Sequence, residues 1–135
     1  MAFVSLTRLR IRKRRFLVPF FFRTIPSLSQ AKKAAGNISA VAVNDANRVF
    51  WTLSVWTDEQ AMRAYMISGS HGKAMPKLME WCDEAATAHW TQESTEPPAW
   101  RDGPALLKER GRRSKVRHPS SAHEAFDIAP PRPGL

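Results

Sequence analysis

At 135 residues, 43% hydrophobic and 24% charged, the chain has the length and composition of one folded domain with a single core. Its single cysteine, Cys82, excludes an intramolecular disulfide and an all-cysteine metal site, and makes a reducing, cytoplasmic compartment the expectation. The formal charge is +9 but lies at the ends: residues 1–15 hold six basic groups and no acid, residues 101–135 hold eight basic and four acidic groups, and the body between is nearly neutral. No binding motif or aromatic stacking platform accompanies that charge, so specific nucleic-acid binding is not expected. Polyanion binding by the basic ends is a weaker alternative.

The start, MAFVSLTRLRIRKRRFLVPFFFRTIPS, sets an Arg-rich segment before an apolar run and so imitates a leader peptide. The run is short, holds Pro19 and ends at Arg23. No stretch approaches the roughly 20 apolar residues of a membrane span. The segment is therefore taken as part of the fold, with a leader as the minor alternative.

Residues 3–11 predict a strand. Val4, Leu6, Leu9 and Ile11 do not keep one phase, which requires either two covered faces or a bulge. Residues 15–36 predict a helix with Leu17, Phe21, Ile25 and Leu28 on one stripe, a kink or interruption at Pro26 and a cap at Gly36. Residues 37–45 predict a second strand, joined by a tight polar turn to RVFWTLSVW. In that third strand Val49, Trp51, Leu53 and Val55 point one way, as a core face. Phe50, Thr52, Ser54 and Trp56 point the other, as the wall of a cavity or an interface.

Thr57 and Gln60 then have capping-box spacing at the start of a helix with Ala61, Met62, Tyr65 and Met66 inward, ended by Gly69. Ser70 starts a second helical piece, 71–84, with Met75, Leu78, Met79 and Cys82 inward. In a last strand, 85–93, Ala86, Ala88 and Trp90 alternate with Thr87, His89 and Thr91. Residues 1–100 thus make the domain. Residues 101–135 are Pro-, Arg- and Ser-rich and predict a disordered basic tail.

The order is βαββαβ, the ferredoxin-like α+β arrangement: a four-stranded antiparallel sheet with helices on one face. FVSLTRLRIR, FWTLSVWTDEQAMRAYMISGSHGKAMPKLMEWCDEA and AHW together resemble the antibiotic-biosynthesis-monooxygenase superfamily of small dimeric α/β-barrel proteins. Within it they are most similar to an uncharacterised bacterial branch related to spheroidene monooxygenase. The resemblance implies a homodimer whose two sheets close a barrel. It also implies a monooxygenase-like protein acting on a hydrophobic, polycyclic or isoprenoid, substrate, either haem-dependent or cofactor-free. A non-catalytic binding or scaffold protein of the same fold is the alternative. The uncovered sheet face, if it carries Phe50 and Trp56, independently asks for a partner sheet.

The resemblance singles out His71, in a G-x-H segment, as a haem ligand or acid/base group. Against this stands a half-exposed histidine in the first turn of a helix. His89 is a second catalytic candidate, against a satisfied strand histidine. Phe50, Thr52, Ser54, Trp56 and Tyr65 are candidates for a substrate cavity, against plain core. Zinc is not expected, because His71 and His89 lack local ligand spacing. Cys82 lacks a histidine partner and is taken as a small buried residue. Asp83 and Glu84, adjacent on a helix, would diverge by about 100° and make a poor acid/base pair. The basic run 8–15 suits a guarded strand edge, or alternatively an anionic ligand or membrane surface.

Overall fold

In this computed structural model residues 1–128 are described, apart from the side chains of residues 46, 70, 71 and 73–75; residues 129–135 lie outside the described residues. In chain order the elements are β1 (Ala2–Ile11), α1 (Leu17–Lys33), β2 (Asn37–Asp45), β3 (Val49–Trp56), α2 (Glu59–Met66), α3 (Gly69–Trp81), β4 (Cys82–Gln92), α4 (Gly103–Arg110), β5 (Gly111–Arg113) and α5 (Ser121–Ala125). All strand pairs are antiparallel, in the order β2-β3-β1-β4-β5. This is the ferredoxin-like arrangement with a short fifth strand added, and the sheet is open.

β1 lies at the centre, so the mixed phase of its sequence has a direct cause. Ala2, Val4 and Leu6 enter one core, and Phe3, Leu9 and Ile11 enter the cores of the opposite face. Its pairing with β4 also shifts register between Arg10 and Ile11. The arginines of β1 guard no edge. Arg8 pairs with Glu84 at 2.8 Å and Arg10 with Asp83, and just past the strand Arg12 pairs with Glu80 at 3.0 Å. Asp83 and Glu84 belong to β4 rather than a helix, because β4 starts at Cys82, directly after α3.

α1 runs through Pro26 without interruption. Its buried side is Phe20, Ser27 and Ala31, with Leu17 and Leu28 partly covered. The expected stripe is therefore rotated: Ile25 faces outward and Phe21 lies at the border, partly exposed with its ring against Phe50. Ser27 and Ala31 are small and let the helix approach the sheet, while Phe20 packs at 4.7 Å on Phe50. α2 is capped by Asp58, whose carboxylate accepts the Ala61 N–H at 2.8 Å, rather than by Thr57. Ser68, not Ser70, precedes α3, and the side chain of Met75, expected inward, lies outside the described residues. Gly36 turns the chain into β2 at φ +84°, where a Cβ would come within 2.5 Å of the Ala61 Cβ.

The two faces of β3 carry a correction. Phe50 and Trp56 lie under α1, α2 and α3, not on an uncovered face. Val49, Trp51, Leu53 and Val55 face the other side, where Leu107 and Ile128 are buried with them and Trp100, Leu106 and Phe126 pack alongside. The segment expected to be a disordered tail from residue 101 thus forms α4, β5 and α5, and it covers the second sheet face. Among the described residues no helix is long and apolar enough to cross a membrane.

Candidate functional site

The alternation of β4 places Thr87 and His89 on the helix side of the sheet. There β1 contributes Phe3, whose ring lies 5.7 Å from the His89 ring. α2 crosses above and presents Glu59 and Arg63, which pair at 2.6 Å. The helical layer stops short of the β4–β5 edge, and the space left there is a cavity of about 380 Å³. Arg110, Gly111 and Arg112 close its outer wall. β5 pairs Thr87 with Arg112, so the arginine joins the phase that already carries His89.

The cavity is open, polar and cationic. Three arginines and one carboxylate line it. Glu59 offsets Arg63; Arg110 lies 5.7 Å over the Trp90 ring; among the described residues neither Arg110 nor Arg112 has a carboxylate partner. Burial holds His89 below its ordinary value, Arg63 and Arg112 add to the depression, and Glu59 opposes it. The imidazole is therefore neutral at neutral pH and can accept a proton. Thr87 Oγ1 stands 3.5 Å from His89 Nε2 and 3.3 Å from the Leu6 carbonyl.

The other candidates stand elsewhere. His71 is in α3, its side chain lies outside the described residues, and none of the described residues of α3 lines the cavity. Phe50 packs on Phe20 and Phe21. Trp56 stacks on Tyr65 at 5.3 Å and donates its indole N–H to Ser54 Oγ at 2.8 Å. The Tyr65 hydroxyl donates to the Ser27 carbonyl at 3.0 Å, and burial pushes the phenol up to about 12. Phe50, Trp56 and Tyr65 therefore fill space rather than bound it. Thr52 and Ser54 are half-buried and line neither main cavity.

Burial, with Asp83 beside it, pushes Cys82 up to about 12, which makes the thiol inert. No group of three His, Cys, Asp or Glu side chains among the described residues is placed to hold a metal ion. The side chain of His71, the expected haem ligand, lies outside the described residues. The aromatic residues that would line a slot for a haem are packed on one another, and the open cavity is walled by charge. The second cleft, under α5, is a sliver of about 10 Å³ between Arg8, Glu84 and His123.

Of the cavity residues, His89 is legible in the sequence, whereas Phe3, Arg63, Arg110 and Arg112 are not. Phe3 shares the sheet face of His89 through pairing of β1 with β4. The arginines depend on the position of α2 and on the existence of β5, which no periodicity announces in a three-residue strand.

Residues 26–127 match the family model described as a domain of unknown function, DUF3291. No curated protein matches the sequence. Among solved structures the fold is similar to SnoaB, a cofactor-independent oxygenase from Streptomyces nogalater, at 13% identity and a TM-score of 0.57 over 72% of this chain and 98% of that one. It is similar to a conserved protein from Methanosarcina mazei at 17% identity and 0.60, over 69% and 94%. It is also similar to an antibiotic biosynthesis monooxygenase at 8% identity and 0.60, over 68% and 99%. At these identities the likeness is one of fold.

Proposed function

The chain belongs to the DUF3291 family, a domain of unknown function with the antibiotic-biosynthesis-monooxygenase type of fold, and we propose that its site is the His89 cavity, where it oxidises an anionic, conjugated small molecule without a cofactor. One observation carries this: a neutral imidazole stands in an open cavity whose remaining charge is positive. A substrate with an acidified C–H or O–H bond loses its proton to His89. Arg112 holds the resulting anion, and Phe3 supports its flat apolar part. The anion itself delivers electrons to oxygen, so no cofactor is needed; SnoaB, of similar fold, is named a cofactor-independent oxygenase. With one oxygen atom inserted, the other leaves as water, and the substrate supplies all the electrons.

On the other sheet face, where a second copy would close a barrel, α4 and α5 already cover the apolar residues.

The test is oxygen uptake by the metal-free, purified protein with a panel of conjugated phenols and carboxylates. Saturable uptake is expected, lost in His89→Gln while binding persists, and with KM raised in Arg112→Gln. Uptake no greater than in buffer for every compound would sink the oxygenase. A second reading, a non-catalytic binding protein, is favoured by the solid packing of Phe50, Trp56 and Tyr65, which leaves no apolar chamber. It is the outcome if calorimetry finds an anionic ligand that Arg112→Gln weakens while no oxygen is consumed.

A further inference from the structure

The outward side of α1 is apolar where a helix of this kind is normally polar. Val18 is 63% exposed, Phe21 41%, Phe22 75% and Ile25 65%. Spacing places Val18, Phe22 and Ile25 on one stripe, opposite the buried Phe20, Ser27 and Ala31, with Phe21 at its border against Phe50. The outward side changes character farther along, at Ser29, Lys32 and Lys33, which are exposed and polar. The stripe is thus confined to the first two turns or so, about 10 Å of helix.

Next to it stands a basic cluster that the sequence splits between two distant segments. Lys13, Arg14 and Arg15 are exposed at the entrance to α1. The stretch after β5 comes back to the same place: the Arg117 N–H donates to the Met79 carbonyl, and Val116 packs in the cluster that holds Phe16 and Leu17. Glu80 is shared by Arg12 at 3.0 Å, Arg117 at 3.7 Å and His118 at 3.6 Å. One carboxylate therefore answers three cationic or titratable groups, and Lys13, Arg14 and Arg15 have no carboxylate partner among the described residues.

We propose that this surface docks on an anionic lipid bilayer, with Val18, Phe22 and Ile25 entering the headgroup boundary and Lys13, Arg14 and Arg15 facing lipid phosphates. Aromatic and aliphatic side chains on one helical face beside a basic cluster are what an interfacial helix needs. Anionic headgroups complement the charge and the acyl boundary takes the stripe. A nucleic acid would satisfy the charge but offers no place to bury Val18 and Ile25. A second copy meeting it through a two-fold axis would bury the stripe against the same stripe but bring no carboxylate to Lys13, Arg14 and Arg15. The surface is separate from the His89 cavity, and neither proposal depends on the other.

Flotation of the full chain with phosphatidylcholine–phosphatidylglycerol vesicles, against vesicles of phosphatidylcholine alone, tests it. The chain is expected to float with the mixed vesicles only, and inorganic phosphate does not release it. Neutralising Arg14 or Arg15 to Gln is expected to weaken partition about five-fold each. Phe22→Ser and Ile25→Ser are expected to cost about ten-fold or more each. All four side chains are exposed or at the helix entrance, so circular dichroism and the melting curve stay those of the parent. The proposal is overturned if the parent chain stays unbound with mixed vesicles, or if Phe22→Ser with Ile25→Ser floats as well as the parent. It is equally overturned if that pair of changes dissociates a dimer in vesicle-free buffer, or if the stripe variants lose binding to an oligonucleotide instead.

Discussion

Gly103 is seated on the indole of Trp51 so closely that a Cβ at this position would come within 2.8 Å of the ring carbon Cζ3. The contact ties the start of α4 to the centre of the second sheet face. Gly103→Val is expected to push α4 off that ring and to destabilise the chain by about 1–3 kcal/mol, as overpacking does. Denaturant midpoints measure the loss. Hydrogen exchange locates it: protection should fall in residues 103–128 before it falls in β1 and β3.

Removing residues 100–135 uncovers Val4, Leu6, Trp51, Leu53, Val55 and Trp90 together. A contiguous apolar face of that kind drives association. The shortened chain is expected to form larger species than the full chain and to bind more hydrophobic dye than it does. A shortened chain that is monomeric and as stable as its parent would contradict this packing.

Arg8 and Glu84 form a buried pair at 2.8 Å, and the second carboxylate oxygen of Glu84 accepts from Ser120 Oγ at 3.0 Å. Arg8→Ala leaves Glu84 buried without its cation and is expected to cost about 3–5 kcal/mol. Arg8→Met combined with Glu84→Leu is expected to recover most of that, because the desolvation of both charges disappears with them. Urea unfolding of the single and double variants decides the matter.

Acid is expected to weaken the fold through two histidines. Burial holds His89 and His123 below their ordinary value of 6.5, helped by Arg63 and Arg112 for the first and by Arg113 for the second. The unfolded chain therefore takes up these protons first as pH falls. The stability tied to the neutral rings is complete above 6.5 and is lost as pH drops below it toward the folded-state values. His123 Nδ1 accepts the Ala85 N–H at 3.3 Å, and a protonated ring cannot. Asp83 works in the other direction: burial raises it above 3.8, so its cost is relieved as pH falls from that raised value to 3.8. Denaturant midpoints between about pH 7 and pH 5 should fall, and the combination His89→Gln with His123→Gln should flatten that slope.

Two phenylalanines two residues apart in α1 are expected to behave oppositely. Phe20 is buried against Phe50, Ile11 and Cys82, and Phe20→Ala should cost about 3–5 kcal/mol. Phe22 faces outward, and Phe22→Ala should change stability by about 0.5 kcal/mol or less. Equal costs for the two in a thermal melt would mean that α1 presents a different side to the sheet.

Much of the fold is legible in the sequence because its signals are local. The alternation in β3 and β4, the hairpin before Val49 and the helix starting near Asp58 are each set by neighbours a few residues apart. The two-residue period of β4 is enough to put His89 on the same face as Thr87. Which face of a strand meets which layer is not local. Val49, Trp51, Leu53 and Val55 and their alternates Phe50 and Trp56 are both apolar enough for a core, and a two-residue period is blind to the difference.

The ferredoxin-like order of elements, the inertness of a lone Cys82 and the placement of the excess charge at the two ends all follow from the order of amino acids. What those ends do follows from packing in three dimensions. The composition of residues 101–128 reads as solvated chain, because few of its residues are apolar and no repeat marks them. Yet Leu107, Phe126 and Ile128 find a finished apolar sheet waiting, and burial there offsets the entropy of ordering the segment. The same return path carries Arg110 and Arg112 to His89 and Arg117 to the entrance of α1. Charges about a hundred residues apart become neighbours through packing, which depends on distance in space and not along the chain.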